Sequence, residues 1–154
     1  MDDTLARAVL LLLHLAATLF MVGLIWFVQV VHYPLMACAG RGEFVAYERE
    51  HTRRTAWVVA PPMLIELATG ILLLWVRPSG VSLIEALGGV GLLGVVWIST
   101  QFIQIPCHDR LSRQFDPLIH RRLVSTNWLR TAAWSLRGLL VLWMVLMSLS
   151  EVRR

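Results

Sequence analysis

Hydrophobic and polar positions divide this chain into four long apolar stretches separated by short polar segments. The stretches cover about residues 9–31, 56–76, 84–105 and 127–149. A helix needs about 20 consecutive apolar residues to cross roughly 30 Å of hydrocarbon. The pattern therefore predicts an all-α integral membrane protein with a single four-span domain over residues 1–154. Short connections favour an antiparallel four-helix bundle.

The two longer connections carry their own helical signals. Proline disfavours helix at the residue before it, so Tyr33-Pro34 should end or kink span one. From Phe44 onward, apolar residues return at helical spacing, while Asp116-Pro117 has the form of a helix start. We expect short interfacial helices in both connections, and we expect the glycines at the start of span three to let helices pack closely.

Composition removes several classes of function. The chain is 57% hydrophobic, its 14 basic residues are all arginine, and it contains no lysine. A lysine Schiff base to retinal or pyridoxal phosphate is therefore excluded. The net charge is +4, and the arginines lie beside the spans among acidic residues. This distribution favours the lipid bilayer as partner over nucleic acid.

The arginines also predict an orientation. Both longer connections are rich in arginine: residues 41, 49, 53 and 54 in the first, and residues 110, 113, 121 and 122 in the second. The opposite side has only Arg7, Arg77, Arg153 and Arg154. The positive-inside rule then predicts a bacterial inner (cytoplasmic) membrane protein with cytoplasmic connections and both termini outside.

Two ionisable side chains lie deep within the predicted spans. Glu66 and Arg137 are each about ten residues from the cytoplasmic start of their span, a depth of ~15 Å. At matching depth they could form an ion pair that locks two helices together. Alternatively, Glu66 acts as a metal ligand or proton acceptor and Arg137 modulates it.

More polar side chains recur at helical spacing near the predicted cytoplasmic face. Span one offers Gln29 and His32, and span three offers Gln104 and His108. Span four adds Asn127 and Arg130, and the first connection adds His51. These positions predict one polar pocket open toward the cytoplasm.

Imidazoles beside a carboxylate are suitable ligands for zinc, copper or iron, and one or two histidines can hold a haem. We therefore take His32, His51 and His108 as candidate metal ligands and Glu66 as ligand or proton acceptor. Polar residues around them would orient the ligands or hold the substrate. These residues are Gln29, Gln104, Asn127, Arg130 and Arg137. The isolated His14 and the arginine-flanked His120 are left out, and Cys107 is a second-choice ligand.

Four short segments also carry a resemblance. They are QVVHYP at 29–34, PMLIE at 62–66, QIPCH at 104–108 and NWLRT at 127–131. With these segments the chain resembles an uncharacterised bacterial family of small four-span membrane proteins and, more distantly, the anthrone-oxygenase-like group. The resemblance implies a four-helix membrane bundle and, for the distant group, oxygenation of polycyclic aromatic substrates. It assigns no catalytic residue.

Three hypotheses follow. The first is a metal- or haem-dependent membrane oxidoreductase acting on a hydrophobic small molecule. The second is a binding or transport protein for a small solute, in which Glu66 and Arg137 form a protonation-sensitive gate and the chain acts as a homo-oligomer. The third is a structural membrane subunit whose polar groups satisfy one another.

Overall fold

The computed structural model describes residues 3–40 and 42–152, and these form helices and no strand. The four helices are α1 (Asp3–Met36), α2 (Phe44–Leu72), α3 (Leu83–Leu111) and α4 (Pro117–Val152). Each is long and apolar enough to cross a membrane. The prediction of an all-α chain with four apolar helices is confirmed. Arg41, Arg153 and Arg154, which enter the charge argument, lie outside the described residues.

The expected short interfacial helices are not separate elements in the described part of the chain. Residues 44–55 form the first turns of α2 without a break. Asp116 does cap α4, because its carboxylate accepts a hydrogen bond of 2.8 Å from the backbone N–H of Leu118. From there α4 continues unbroken, so the prediction of separate interfacial helices was wrong.

Pro34 does not end α1. A five-residue π-helical turn, Val28–His32, lies just before it, and the helix then continues to Met36. A second π turn, Thr100–Gln104, precedes Pro106 in α3. Proline removes an amide donor from the helical hydrogen-bond ladder, and a wider turn accommodates that loss. Gln29 and Gln104 are buried within these two turns.

Contacts between helices show their relative directions. In the α1–α2 pair, His14 meets Thr69 and His32 meets His51, so positions rise along one helix as they fall along the other. The α3–α4 contacts of Gly89 with Arg137 and of Gln104 with Thr126 follow the same rule. Each pair is thus antiparallel. Residues 37–40, 42–43 and 112–116 lie at one end of the molecule, here called the connection end, and the α2–α3 turn lies at the far end.

The α2–α3 connection is a short turn that contains Gly80. Gly80 adopts a φ of +84°, which favours glycine, and a Cβ there would lie 2.6 Å from the carbonyl oxygen of Met147. Ser82 and Glu85 then form a capping box at the start of α3. Of the span-three glycines, Gly88 and Gly89 lie near α4 side chains, whereas Gly91 and Gly94 face open space. Close packing therefore involves only the first two.

Apolar side chains form three clusters along the helices. One lies near the middle and includes Met63 and Trp134, and a second fills the connection end around Phe44 and Leu123. The third cluster occupies the far end. Its buried members are Leu11, Leu73, Val81, Val141 and Met144.

Candidate functional site

A cavity of about 400 Å³ lies between the four helices. Its inner part is apolar and is lined by side chains such as Met21, Ile25, Met63 and Trp97. Toward the connection end the lining becomes polar. The polar lining comprises Tyr33, His51, Thr52, Thr55, Thr100, Gln101, Gln104, His108, Asp109 and Arg130. The cavity is thus amphipathic along its length, a form that suits a ligand with an apolar body and a polar end.

The mouth of the cavity lies between α2 and α3. Lining residues that are exposed come from these two helices only: Ala56, Ala60, Leu64, Gln101, Ile105 and Asp109. The opening is therefore on the side of the molecule. At the far end, the third apolar cluster lies beyond the cavity.

A chain of three hydrogen-bonded side chains stands at the polar end. His108 Nδ1 lies 2.5 Å from Oε1 of the fully buried Glu48, and His108 Nε2 lies 3.0 Å from the hydroxyl of Tyr33. With Nδ1 donating to the Glu48 carboxylate, the neutral imidazole has Nε2 as the acceptor of the Tyr33 hydroxyl proton. This carboxylate–imidazole–hydroxyl order is the arrangement with which enzymes hold a histidine ready as a general base.

The other two predicted histidines lie beside this chain. His51 Nδ1 is 3.0 Å from both His32 Nε2 and the Thr55 hydroxyl, and the His51 and His108 ring centroids are 5.5 Å apart. The structure therefore brings together all three imidazoles that the sequence singled out. His51 and His108 line the cavity, and His32 lies behind His51.

This arrangement does not match a metal centre. Among the described residues, no three side chains of His, Cys, Asp or Glu are placed to hold one ion. The facing nitrogens of His32, His51 and His108 are instead engaged by neighbouring side chains. Cys107, the second-choice ligand, is buried in the connection-end apolar cluster.

Glu66 and Arg137 do pair, at 3.3 Å, with both side chains fully buried. The other carboxylate oxygen of Glu66 accepts a 2.9 Å hydrogen bond from Trp134 Nε1, and Arg137 also donates to the carbonyl oxygen of Gly89. Neither charged residue lines the cavity. The pair instead joins α2, α3 and α4 at mid-height.

His14 belongs to the same buried group, although no local sequence pattern indicates these contacts. Its Nδ1 lies 2.7 Å from the Thr69 hydroxyl and its Nε2 lies 3.4 Å from Arg137. His14 was left out of the candidate site, and its contacts are with this group and not with the cavity lining. With His14, the ion-pair group includes side chains or backbone from all four helices.

The predicted polar partners divide into two sets. Asn127 donates to Gln29 at 2.9 Å, and Gln29 donates to the Val124 carbonyl oxygen at 3.2 Å, so this pair joins α1 to α4 outside the cavity lining. Gln104 and Arg130 do line the cavity. His120 lies outside the cavity lining, and its Nε2 is 2.8 Å from the backbone oxygen of Tyr33.

Several buried polar atoms near the cavity have no hydrogen-bond partner among the described residues. They are Nε of Arg130, Oε1 of Gln104, Nε1 of Trp97 and Oε2 of Glu48. The first three belong to residues of the lining. Unpaired buried polar groups are costly and uncommon in native proteins, so these three lining residues make the cavity the candidate binding site.

Sequence reasoning missed Glu48 and Tyr33. Glu48 was counted among the acidic residues that accompany the arginines, and Tyr33 was considered only for its proline neighbour. A signal for Glu48 existed, because it lies three residues before His51 and therefore on the same helix face. Its partner His108 is sixty positions away, and no local pattern indicates that contact.

Comparison with known proteins identifies no relative of this chain, so the functional argument rests on the geometry of the site. Neither a protein-family model, nor a curated protein, nor a solved structure matches the chain.

Proposed function

We propose that this chain is a membrane oxidoreductase that binds a hydrophobic molecule in the cavity and takes a proton from its polar end. The observation that carries the proposal is the Glu48–His108–Tyr33 chain at the polar end of an otherwise apolar cavity.

The setting is the bacterial cytoplasmic membrane. The four helices would stand in it as an antiparallel bundle, with both arginine-rich connections in the cytoplasm and both termini outside. The mouth between α2 and α3 then opens into the lipid near the cytoplasmic face. A hydrophobic substrate would enter sideways from the bilayer, apolar body inward.

The chemistry is proton transfer. Glu48 holds the His108 ring and stabilises the imidazolium that forms when Nε2 accepts a proton. Tyr33, hydrogen-bonded to that nitrogen, passes its own proton to His108 as it receives one from the substrate. A substrate with an acidic C–H group next to an aromatic carbonyl system would become a delocalised anion when it loses this proton. Arg130 beside Tyr33 would stabilise that charge.

Oxidation can follow from the anion. The electron-rich carbon donates electrons to dioxygen, and loss of water from the resulting hydroperoxide leaves a second carbonyl. One O2 is consumed and one water is released for each quinone formed. The resemblance to the anthrone-oxygenase-like group supports this reaction type. Among the described residues no three His, Cys, Asp or Glu side chains are placed to hold one ion, so we assign no step to a metal.

The test uses anthrone, a tricyclic ketone with acidic methylene protons, and protein in nanodiscs of zwitterionic lipid. Oxygen uptake and quinone absorbance are followed for the wild type, Glu48→Gln and His108→Gln, with empty nanodiscs giving the uncatalysed rate. General-base catalysis typically contributes about 10²–10⁴-fold. Each variant should therefore fall at least about 100-fold below the wild type.

Two outcomes would contradict the proposal. One is a wild-type rate no higher than that of empty nanodiscs, and the other is a wild-type rate kept by both variants. Metal analysis of protein purified without chelators tests the alternative from the sequence. Stoichiometric metal that is lost in His32→Ala and His108→Ala would replace the proton-transfer mechanism with a metal-dependent one.

A further inference from the structure

We infer that the cavity selects a hydrophobic anion and that Arg130 binds its negative charge. This inference rests on the proposed binding of a hydrophobic molecule in the cavity, and it adds the charge of the molecule and the residue that recognises it.

Arg130 is a buried cation without an ionic partner. Only 7% of its surface is exposed, yet none of the ion pairs in the described part of the chain includes it. Arg137, the other buried arginine, is paired with Glu66 in the manner that buried charges usually require. The missing counter-charge distinguishes Arg130 from Arg137.

The contacts that Arg130 does make leave hydrogen-bonding capacity unused. Its guanidinium carbon lies 5.2 Å from the centroid of the Trp134 ring, a cation–π contact, and the group also lies next to Tyr33. Nε has no partner among the described residues. A guanidinium has five N–H donors and no acceptor, so the complement of this site is an acceptor with negative charge.

The ligand is therefore an apolar body with an anionic oxygen at one end, such as a carboxylate or the anion of an acidic phenol. Its body would occupy the part of the cavity around Met21, Ile25 and Met63. Its charged oxygen would reach Arg130, and the free Nε1 of Trp97 offers a neutral donor to a second oxygen on the body. A phospholipid also joins an anionic oxygen to an apolar body, and the test below distinguishes it from a free hydrophobic acid.

The test compares two probes that differ in charge and hardly in shape, anthracene-2-carboxylate and anthracene-2-carboxamide. Binding to wild-type protein in zwitterionic nanodiscs is followed by fluorescence anisotropy. A buried charge-assisted contact should give the carboxylate at least about tenfold tighter binding. In Arg130→Gln the two probes should bind alike, while Arg130→Lys should keep part of the preference because it keeps the charge.

Arg121→Gln is the matched control. It removes an exposed arginine from the same helix outside the cavity lining, so it should leave the preference unchanged. Carboxamide binding by Arg130→Gln shows that this variant is folded and has an open cavity. Repeating the titration with phosphatidylglycerol in the nanodiscs separates the sources. If phosphatidylglycerol competes with the carboxylate probe in the wild type but not in Arg130→Gln, the natural anion is a lipid phosphate. If it does not compete, the natural anion is a free hydrophobic acid.

The outcomes separate the two proposals. Equal binding of both probes to the wild type, or a preference that survives in Arg130→Gln, overturns the role of Arg130 and leaves the cavity as a binding site. Failure of both probes to bind, together with failure of anthrone to react, removes the proposed function itself.

Discussion

Glu48 and His108 are sixty positions apart in the chain, and their side chains meet at 2.5 Å at the polar end of the cavity. Glu48 is fully buried and comes from α2, while His108 comes from the turn of α3 that follows its π-helical segment. The contact brings a carboxylate, an imidazole and, through Tyr33, a phenol to one place. Two buried carboxylates thus lie on α2, Glu48 beside the cavity and Glu66 in the ion-pair group.

Tyr33→Phe tests the hydroxyl at the cavity end of the chain. The variant keeps the ring and removes only the proton donor to His108. We expect anthrone oxidation to fall about tenfold or more, and anthracene-2-carboxamide to bind as in the wild type. Tyr47→Phe is a matched control, because its half-exposed side chain lies outside the cavity lining. Equal losses in both variants would show that the Tyr33 hydroxyl has no special role.

Ala60→Trp tests whether the cavity is where the hydrophobic molecule binds. Ala60 lies on the exposed edge of the lining, and an indole there would block the mouth between α2 and α3. Anthracene-2-carboxamide affinity should drop at least about tenfold, which corresponds to about 1.4 kcal/mol. Ala68→Trp places the same bulk on an exposed position of α2 away from the cavity and should bind normally. A normal affinity in Ala60→Trp would place the probe elsewhere.

Glu66→Gln is expected to affect stability more than chemistry. The change leaves Arg137 buried without its counter-charge, a loss of about 3–5 kcal/mol. Detergent-induced unfolding monitored by circular dichroism measures the loss. Glu50→Gln provides the control, since Glu50 forms its ion pairs with Arg53 and Arg54 at an exposed position. If Glu66→Gln unfolded like the wild type but lost anthrone oxidation, Glu66 would be a catalytic group after all.

Gly80→Ala should destabilise the chain by about 1–3 kcal/mol, because alanine disfavours the positive φ and its methyl group would clash with the Met147 carbonyl. The same unfolding assay compares it with Gly91→Ala. Gly91 lies within α3 and has open space around it, so alanine should be neutral or stabilise the helix by up to about 1 kcal/mol. Equal effects of the two changes would contradict the role given to Gly80.

Cysteine labelling tests the proposed orientation. Cys38 is exposed at the connection end, whereas Cys107 is buried. A membrane-impermeant maleimide should label Cys38 in inside-out vesicles and spare it in intact spheroplasts. Ser79→Cys in a Cys38→Ala background places a thiol in the far-end turn and should show the opposite pattern. The same pattern at both positions would argue against four crossings, and exchanged patterns would invert the topology.

The sequence predicts the helices well because hydrophobic length is a local property. All four apolar stretches fall on helices, and the depth argument for Glu66 and Arg137 holds because helical rise per residue is constant. The prediction is less specific where one local rule allows two structures. Proline before a helix end and proline after a π turn give the same pattern around Pro34, and only packing decides between them.

The site was predicted less completely, and for a different reason. His32, His51 and His108 were found as a group because each stands near the end of an apolar stretch. Their hydrogen-bond partners decide what the group does, and Glu48 was indistinguishable from a solvated charge without the tertiary contact. The contact of His14 with the ion-pair group was not predicted either, because its partners Thr69 and Arg137 lie on other helices.

The far-end apolar cluster of Leu11, Leu73, Val81, Val141 and Met144 has a kinetic consequence for such a protein. A compound that enters between α2 and α3 finds the cavity closed at the far end, so it must leave through the same opening. The turnover rate would then depend on how quickly the product returns to the membrane leaflet. Slow product release would delay entry of the next substrate molecule.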